Sequence, residues 1–331
     1  MNSPAGTATA DKPALLEFSK PKPEDAQWVR PMLFAANRMG CEYCFGNTIA
    51  WHKTYGTEIA QADGIFFARS TRKGKDGTQR VAYGYPVGGS LGNTNDLDAL
   101  KRAILLLKED AQEKPLRLYG LEAQDIPLME AAFPGKFTFS LDRAICDYIY
   151  LQSDLANLAG KKYHSKRNHI SRFLKDNSDW SYEEITAETL DECLAMAERW
   201  KTLHADRDPQ GLEEEFQALR RVFARYDEYG LRGGLLRAGG EVIAFTVGEP
   251  LNERCFVTHF EKAYPSIPGA YPMINRCFAE HTLAGYEYIN REEDLGNEGL
   301  RKAKLSYHPA MLLEKFRAKE IVEPLESVET V

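Results

Sequence analysis

The sequence predicts a mixed α/β (α+β) protein built as two successive units, each a mixed sheet flanked by helices. Three observations carry this expectation. The chain has 331 residues, enough for two domains of ordinary size. Leu212, Phe216, Leu219, Phe223 and Tyr226 are spaced 4, 3, 4 and 3, an amphipathic helical stripe. After Gly230 the period switches to two, and three strands follow with turn residues at both joints.

Residues 1–14 have neither a basic start nor an apolar core, so they are expected to be a disordered lead and not a signal peptide. The first unit spans 15–150. A helix is expected over 23–39, with Trp28, Met32 and Ala35 or Ala36 on one side. Strands over 59–70 and 79–85 flank the Gly-rich charged turn 72–77. Leu97, Leu100, Ile104 and Leu107 follow the helical period within 95–112, with Asn95 as a cap. A strand over 116–121, a helix over 124–133 and a strand-rich stretch over 137–150 complete the unit.

The second unit spans 151–317. Helices are expected over 155–175, over 186–203 with Thr186 as cap, and over 212–229, closed by Gly230. Strands follow over 231–237, 241–249 and 254–263, hinged at Gly239-Gly240 and at Pro250-Leu251-Asn252-Glu253. Next come a helix over 272–284 with Pro272 near its first turn, a strand over 286–289, a helix over 297–306 and an extended segment over 311–317. Residues 318–331 read as a tail.

Composition narrows the function classes. Hydrophobic residues make up 43% and charged ones 27%, as in ordinary globular proteins. A net charge of -7 argues against coating nucleic acid over the whole surface but leaves room for a local basic site. The longest aliphatic run, 103–107, is too short to span a bilayer, so no integral membrane segment and a cytoplasmic location are expected. Of six cysteines, only Cys41 and Cys44 are close together. With His52 they offer three ligands and no second pair, so buried reduced thiols and no metal are expected. Phosphate-loop, Gly-x-Ser-x-Gly and His-Glu-x-x-His patterns are absent.

Three constellations could carry chemistry. The densest is 290–304, where four acids and four basic residues surround two glycines between a strand and a helix. Arg291 can clamp a carboxylate or phosphate, and Asn290, Glu292, Glu293 and Asp294 could hold a substrate amine. Arg301, a further candidate for binding phosphate, and Lys304 lie three apart on the following helix. Capping by Asp294 and Glu298 with surface ion pairs would explain part of this, but not the glycines. The second constellation is the run 160–175, with six Lys or Arg and no acid. Lys161, His164, Asn168, Arg172 and Lys175 make one helical stripe, and Lys162, Lys166 and Arg167 add charge suited to phosphates. A solvated basic face is an even alternative. The third is the strand over 256–263, where alternation puts His259 and Glu261 on one face, suited to acid–base work or to a cross-strand ion pair. In the loop 265–272 that follows, the glycines are too few for a pyrophosphate loop.

The element order of the second unit is that of the GCN5-related N-acyltransferase (GNAT) fold, and the first unit follows it more loosely. Through 147–150, 158–168, 259–263 and 290–309, with Ser306-Tyr307-His308-Pro309 closing the last and most specific segment, the chain resembles the family of the phosphatidylglycerol lysyltransferase C-terminal domain. Stand-alone cytosolic bacterial members are the nearest. The resemblance implies tandem GNAT-like (acyl-CoA N-acyltransferase) folds with the working site in the second. Membrane-bound relatives move an aminoacyl group from aminoacyl-tRNA to a lipid headgroup, and the peptidoglycan-bridge aminoacyltransferases use the same donor. Their last helix carries a lysine in a Phe-Lys-x-x-Phe-like pattern that faces the reacting carbonyl or phosphate; the nearest counterpart here is Ala303-Lys304-Leu305-Ser306-Tyr307, with Ala303 in place of the first Phe, and the resemblance hands that role to Lys304.

The expected activity is therefore aminoacyl or N-acyl transfer. Lys304, with Arg291, would stabilise the oxyanion, and Glu261 or His259 would take the acceptor's proton. Tyr307 joins the substrate residues. The donor would be aminoacyl-tRNA or an acyl-CoA, and the acceptor a small-molecule or lipid-headgroup amine or hydroxyl. The alternatives are an acetyl-CoA-dependent N-acetyltransferase and a non-catalytic ligand-binding protein on a degenerate transferase fold.

Overall fold

The computed structural model describes residues 15–322 apart from 75, 92–95, 113 and 207. The expected lead 1–14, the Asn95 cap and most of the expected tail lie outside the described residues. The first stretch holds α1 (Ala26–Ala35), α2 (Phe45–Tyr55), β1 (Thr57–Ala62), β2 (Ile65–Lys73), β3 (Gln79–Gly84), β4 (Val87–Gly88), α3 (Leu97–Ala111), β5 (Arg117–Glu122), α4 (Asp125–Ala132) and β6 (Phe137–Leu141). Then come β7 (Asp147–Leu151), α5 (Gln152–Asn157), α6 (His164–Asp176), β8 (Ser181–Glu184), α7 (Leu190–Leu203), α8 (Pro209–Phe223), β9 (Arg232–Ala238), β10 (Glu241–Pro250) and β11 (Cys255–Ala263). The chain ends with α9 (Ala270–Cys277), β12 (Tyr288–Asn290), α10 (Glu298–Leu305), β13 (Met311–Leu313) and β14 (Lys315–Glu320).

Two sheets form. The first has the order β1-β2-β3-β5-β14-β6, with β4 beside β2, and the second β13-β7-β12-β11-β10-β9-β8. Each has one parallel joint, β3 to β5 and β11 to β12, and a helix, α3 or α9, bridges it. A parallel pair needs such a crossover, whereas the antiparallel neighbours need only hairpins. The chain is a mixed α/β protein with two mixed sheets in tandem, each flanked by helices.

Two strands cross the expected boundaries. β7, placed with the first unit from sequence, pairs with β12 and β13 of the second sheet. β14 returns to the first sheet between β5 and β6 and runs past 317. Periodicity identifies a strand but not its partner. Each exchanged strand fills a position the other sheet would otherwise leave unpaired.

Local differences have local causes. The expected strand over 59–70 is a hairpin turning at Asp63 (φ 53°) and Gly64 (φ 73°). The expected helix over 155–175 breaks at Leu158 (φ 47°) and Gly160 (φ 82°), whose carbonyls accept from Arg167. Lys161 therefore sits in a short 3-10 turn and not on α6. The helix expected from Thr186 starts at Leu190; Thr186 instead bonds Glu188 and Thr189. β8 and α2 were not expected. α2 reads FGNTIAWHKTY, poor in helix formers, and its helicity comes from packing. Phe45 is fully buried and meets Tyr229 edge-on at 5.2 Å. Phe45 and Ile49 of α2 share one core with Leu219, Phe223 and Tyr229, so the two units are joined through their apolar interior. Among the described residues no helix is long and apolar enough to cross a membrane.

Candidate functional site

The seam between the sheets is organised by the turn that follows β12. Asn290 is fully buried and fixes the turn's start. Its Nδ2 donates to the Met39 carbonyl (2.7 Å) and to Asp147 (2.8 Å), and its Oδ1 accepts from the Glu292 N–H (2.6 Å). Glu292 (φ 57°) and Leu295 (φ 50°) adopt left-handed backbone before Gly296 (φ 77°), the glycine such a turn favours. The result is that four consecutive side chains reach four different sets of partners.

Asp294 points inward and holds the turn to its flanks. It accepts from Arg301 (2.8 and 3.0 Å), Tyr148 (2.6 Å) and Arg143 (3.1 Å). The Arg301 contact, against the opposing effect of burial, keeps its carboxyl well below the usual range. Asn297, and not Asp294 or Glu298, caps α10 by accepting from the Leu300 N–H (3.0 Å). Lys304 donates its ammonium to the carbonyls of Arg291 and Glu292 (the latter 3.2 Å). Burial, then the charge of Arg291, lowers its pKa.

Glu293 enters an ion cluster at the strand exchange. Lys315, the first residue of β14, lies 2.9 Å from Asp147, the first residue of β7, and 2.7 Å from Glu42. Asp147 also accepts the Cys41 N–H (2.8 Å), and the Cys41 thiol donates to Glu293 (3.2 Å). Burial alone would lower the Lys315 pKa, but Asp147, Cys41, Glu42 and Glu293 hold it well above the usual value. Burial pushes the Glu293 carboxyl up to about 7; Lys315 opposes the shift, and Asp147 and Glu292 reinforce it. Glu293 and Leu295 also wall a cavity of about 740 Å³ that extends over the first sheet. Trp51, Tyr55, Phe66 and Tyr119 give it apolar and aromatic surface, and Arg72, Arg80, Arg117, Arg317 and Lys319 line it with positive charge.

Glu292 joins a second cluster. β10 and β11 slip register so that Val247 faces Phe260 and Gly248 faces Thr258, leaving His259 as the extra residue of a bulge. Such a bulge re-aims a side chain. His259 Nε2 lies 3.0 Å from Glu249, Nδ1 lies 2.8 Å from Glu292, and the Cys44 sulfur is 3.9 Å from Nε2. Glu249 also accepts the Gly46 N–H (2.6 Å).

Arg291 joins a third group. It pairs with Glu261 (2.8 Å), which also accepts from Asn275 (3.2 Å). Its guanidinium lies 4.8 Å from the Tyr307 ring centre, and Lys166 covers the same ring at 3.7 Å while donating to Ser306 (2.7 Å). Burial, then Arg291, lowers the Lys166 pKa to about 8. Arg291 Nη1 is buried with no acceptor among the described residues.

The geometry thus gathers Lys304, Arg291, Glu292, Glu293, Glu261, His259 and Tyr307 around one turn. It does not bring His259 and Glu261 into one acid–base pair, because each is bound to different partners. Most of the expected phosphate residues lie elsewhere or are already engaged. Arg301 serves Asp294, Arg167 serves backbone carbonyls, Lys162 binds Asp154 (3.0 Å), His164 and Asn168 bond each other (3.2 Å), and Arg172 pairs with Asp176 (3.4 Å). Of the residues expected from the run 160–175, Lys166 reaches the turn's surroundings, over the Tyr307 ring. Gly269 is a close-approach glycine, since a Cβ there would fall 2.2 Å from the His169 carbonyl oxygen. The start of α9 therefore packs against α6. Sequence reasoning missed Glu42, Lys315, Glu249 and the roles of Cys41, Cys44 and Asp147. The available signals were a lone lysine in an extended segment and the short Cys41–Cys44 spacing.

Comparison with known proteins agrees with this architecture. A conserved protein of unknown function from Bacteroides thetaiotaomicron is 38% identical, with a TM-score of 0.84, over 93% of this chain and 100% of that one. The DUF2156 C-terminal domain of a protein described as a lysylphosphatidylglycerol synthetase, from Agrobacterium fabrum, is 14% identical with a TM-score of 0.61, covering 89% and 91% of the two chains, and shares the fold. An uncharacterised protein of Mycoplasmoides gallisepticum is 24% identical over 178 residues, 53% of this chain, and that match spans only 56% of the relative's length. The model of the phosphatidylglycerol lysyltransferase C-terminal domain matches residues 34–319, and the chain belongs to that family.

Proposed function

We propose that this protein is an acyltransferase of the aminoacyl-transfer type, working at the Arg291–Glu293 turn with Glu293 as proton acceptor. The observation that carries the reading is a carboxyl held at about 7 in the wall of the 740 Å³ cavity. A base with that pKa is well matched to catalysis near neutral pH. Titratable groups surround it on every side: Lys315, Asp147, Glu292 and Cys41.

In the proposed step, the acceptor's amine or hydroxyl occupies the cavity and attacks the ester carbonyl of the donor. The new C–N or C–O bond forms as the donor's C–O bond breaks. Glu293 takes the acceptor's proton and returns it to the leaving alkoxide. Lys304 acts as a positioning residue, since its ammonium holds the two carbonyls that precede Glu293. Arg291, whose buried Nη1 has no acceptor among the described residues, lies against Glu261 and Tyr307, two positions before the cavity-lining Glu293, and is the candidate donor to an oxygen of the incoming acyl group. The cationic lining favours an acceptor carrying an anionic group beside an apolar part, a description that fits a phosphate-bearing headgroup. The exposed basic face of α6 with Lys161 would attract the donor's phosphates. The packing of α9 against α6 weighs against a coenzyme A pyrophosphate at that helix start.

The test is transfer of a labelled aminoacyl group from a panel of aminoacyl-tRNAs to anionic amine or hydroxyl acceptors. Glu293→Gln should lower transfer by about 10²–10⁴-fold while the fold is kept. Transfer at the wild-type rate by Glu293→Gln would refute the assignment, and micromolar acetyl-CoA binding by calorimetry would replace the aminoacyl donor with an acyl-CoA.

A further inference from the structure

The cluster around His259 has the composition and spacing of a metal site. Cys44 Sγ, a Glu249 oxygen and His259 Nε2 all lie within 4.8 Å of one another. His259 Nε2 is 3.0 Å from Glu249 and 3.9 Å from Cys44. Zinc bonds of about 2.0–2.3 Å in tetrahedral geometry put ligand atoms roughly 3.3–3.6 Å apart, and the observed separations bracket that range. Thiolate, imidazole and carboxylate together suit zinc better than the harder magnesium or calcium.

Three independent features support a ligand there. First, the other nitrogen of His259 lies 2.8 Å from Glu292, the carboxylate partner that orients a metal-bound histidine and fixes its tautomer. Second, residue 46 is glycine where a Cβ would fall 2.3 Å from the Glu249 oxygen and 3.3 Å from His259 Nε2. The backbone thus leaves the ligand atoms uncrowded, and its N–H orients Glu249 at 2.6 Å. Third, among the described residues no Lys or Arg pairs with the side chain of Glu249 or Glu292. The neighbouring group of Cys41, Glu42 and Asp147 has similar spacing, but the Lys315 ammonium already occupies it.

We propose that Cys44, Glu249 and His259 bind one zinc ion, oriented by Glu292, with a water or the second Glu249 oxygen in the fourth position. The ion would join the start of α2, from the first unit, to β10 and β11 of the second. It is a structural tie, and it stands or falls separately from the transfer chemistry. Binding would displace the Cys44 thiol proton, so uptake should release protons.

The test uses the full chain, stripped with a chelator and reloaded. One equivalent of zinc per chain should be retained against a chromophoric competitor. Cobalt in its place should give tetrahedral visible bands and a near-ultraviolet thiolate-to-cobalt band. Cys44→Ser should lose the thiolate band, Glu249→Gln should bind more weakly, and Glu292→Gln should weaken zinc about 10–100-fold. Cys193→Ser, a buried cysteine on α7, should keep the full spectrum. If Cys44→Ser does not fold, the wild-type protein decides alone: without a thiolate band on cobalt addition the proposal is wrong. A band that persists in folded Cys44→Ser would overturn it equally.

Discussion

Two buried acid clusters meet the same turn through adjacent residues, Glu293 and Glu292, and they differ in the source of their positive charge. The Glu293 cluster has Lys315, carried in by an exchanged strand and held between Asp147 and Glu42. Among the described residues, the Glu292 cluster has only His259 between two carboxylates, with a thiol beside it. A lysine supplied by the chain leaves the first cluster complete in itself, so it can border a cavity and keep one carboxyl titrating near neutrality. The second is enclosed, and its positive charge comes from the His259 ring; burial opposes that charge, but Cys44, Glu249 and Glu292 hold the ring's pKa well above the usual value. Under the two proposals made above, neighbouring positions on one turn take opposite tasks, one in proton transfer and the other in holding the units together.

The largest expected effect tests the first half of that contrast. Glu293→Gln should lower transfer by about 10²–10⁴-fold, the usual worth of a positioned base. Because the working form is the carboxylate, the wild-type rate should fall as pH drops below about 7, and the variant should lack that limb. A wild-type pH profile flat from 5 to 8, taken as a rough window around that value, would remove Glu293 from the chemistry.

Next in size is the counter-ion itself. Lys315→Ala strands the buried Asp147 carboxylate, which should destabilise the fold by about 3–5 kcal/mol in chemical denaturation. Adding Asp147→Asn should recover much of that loss. If Lys315→Ala unfolds within about 1 kcal/mol of the wild type, the two clusters do not differ in the way described.

How much of this could be read in the sequence follows the same division. The tandem α/β plan was legible because stripe, period switch and turns are local signals, as in the Leu212–Tyr226 stripe and the Gly239-Gly240 hairpin. The importance of 290–304 was legible from its charge density. What could not be read was pairing. Nothing local sends β14 back across the molecule or β7 forward, so Lys315 and Asp147, 168 positions apart, could not be matched. His259 was expected to share a strand face with Glu261, but a bulge set by the register of β10 gives it other partners. Arg301 and Asp294 were read as ligand residues because exposed-looking charges near a glycine resemble a site. In the fold they satisfy each other.

Lys304 tests whether the turn must be held for the first cluster to work. Its ammonium makes charge-assisted hydrogen bonds to two carbonyls, worth about 1.5–3 kcal/mol each where a charged group is involved. Lys304→Met keeps the stem and removes those bonds. A positioning role predicts a lower kcat with donor KM nearly unchanged and the limb near pH 7 retained. A lost pH limb would instead make Lys304 part of the proton path.

The smallest effect concerns the basic face of α6, which lies outside both clusters. Its Arg172 and Lys175 are exposed, and the ion pair from Arg172 to Asp176 spans 3.4 Å at a surface where such pairs contribute about 0.3–0.5 kcal/mol. Replacing Arg172 and Lys175 with alanine should therefore leave stability almost unchanged. If the face attracts a polyanionic donor, the same double variant should raise donor KM several-fold and make the dependence of log KM on log salt shallower by about 1–2, one step per lost phosphate contact. Acceptor KM and the limb near pH 7 should not move, because both belong to the cavity and Glu293. A variant with wild-type donor KM and salt slope would reduce the face to solvated charge and leave the two clusters as the whole of the functional seam.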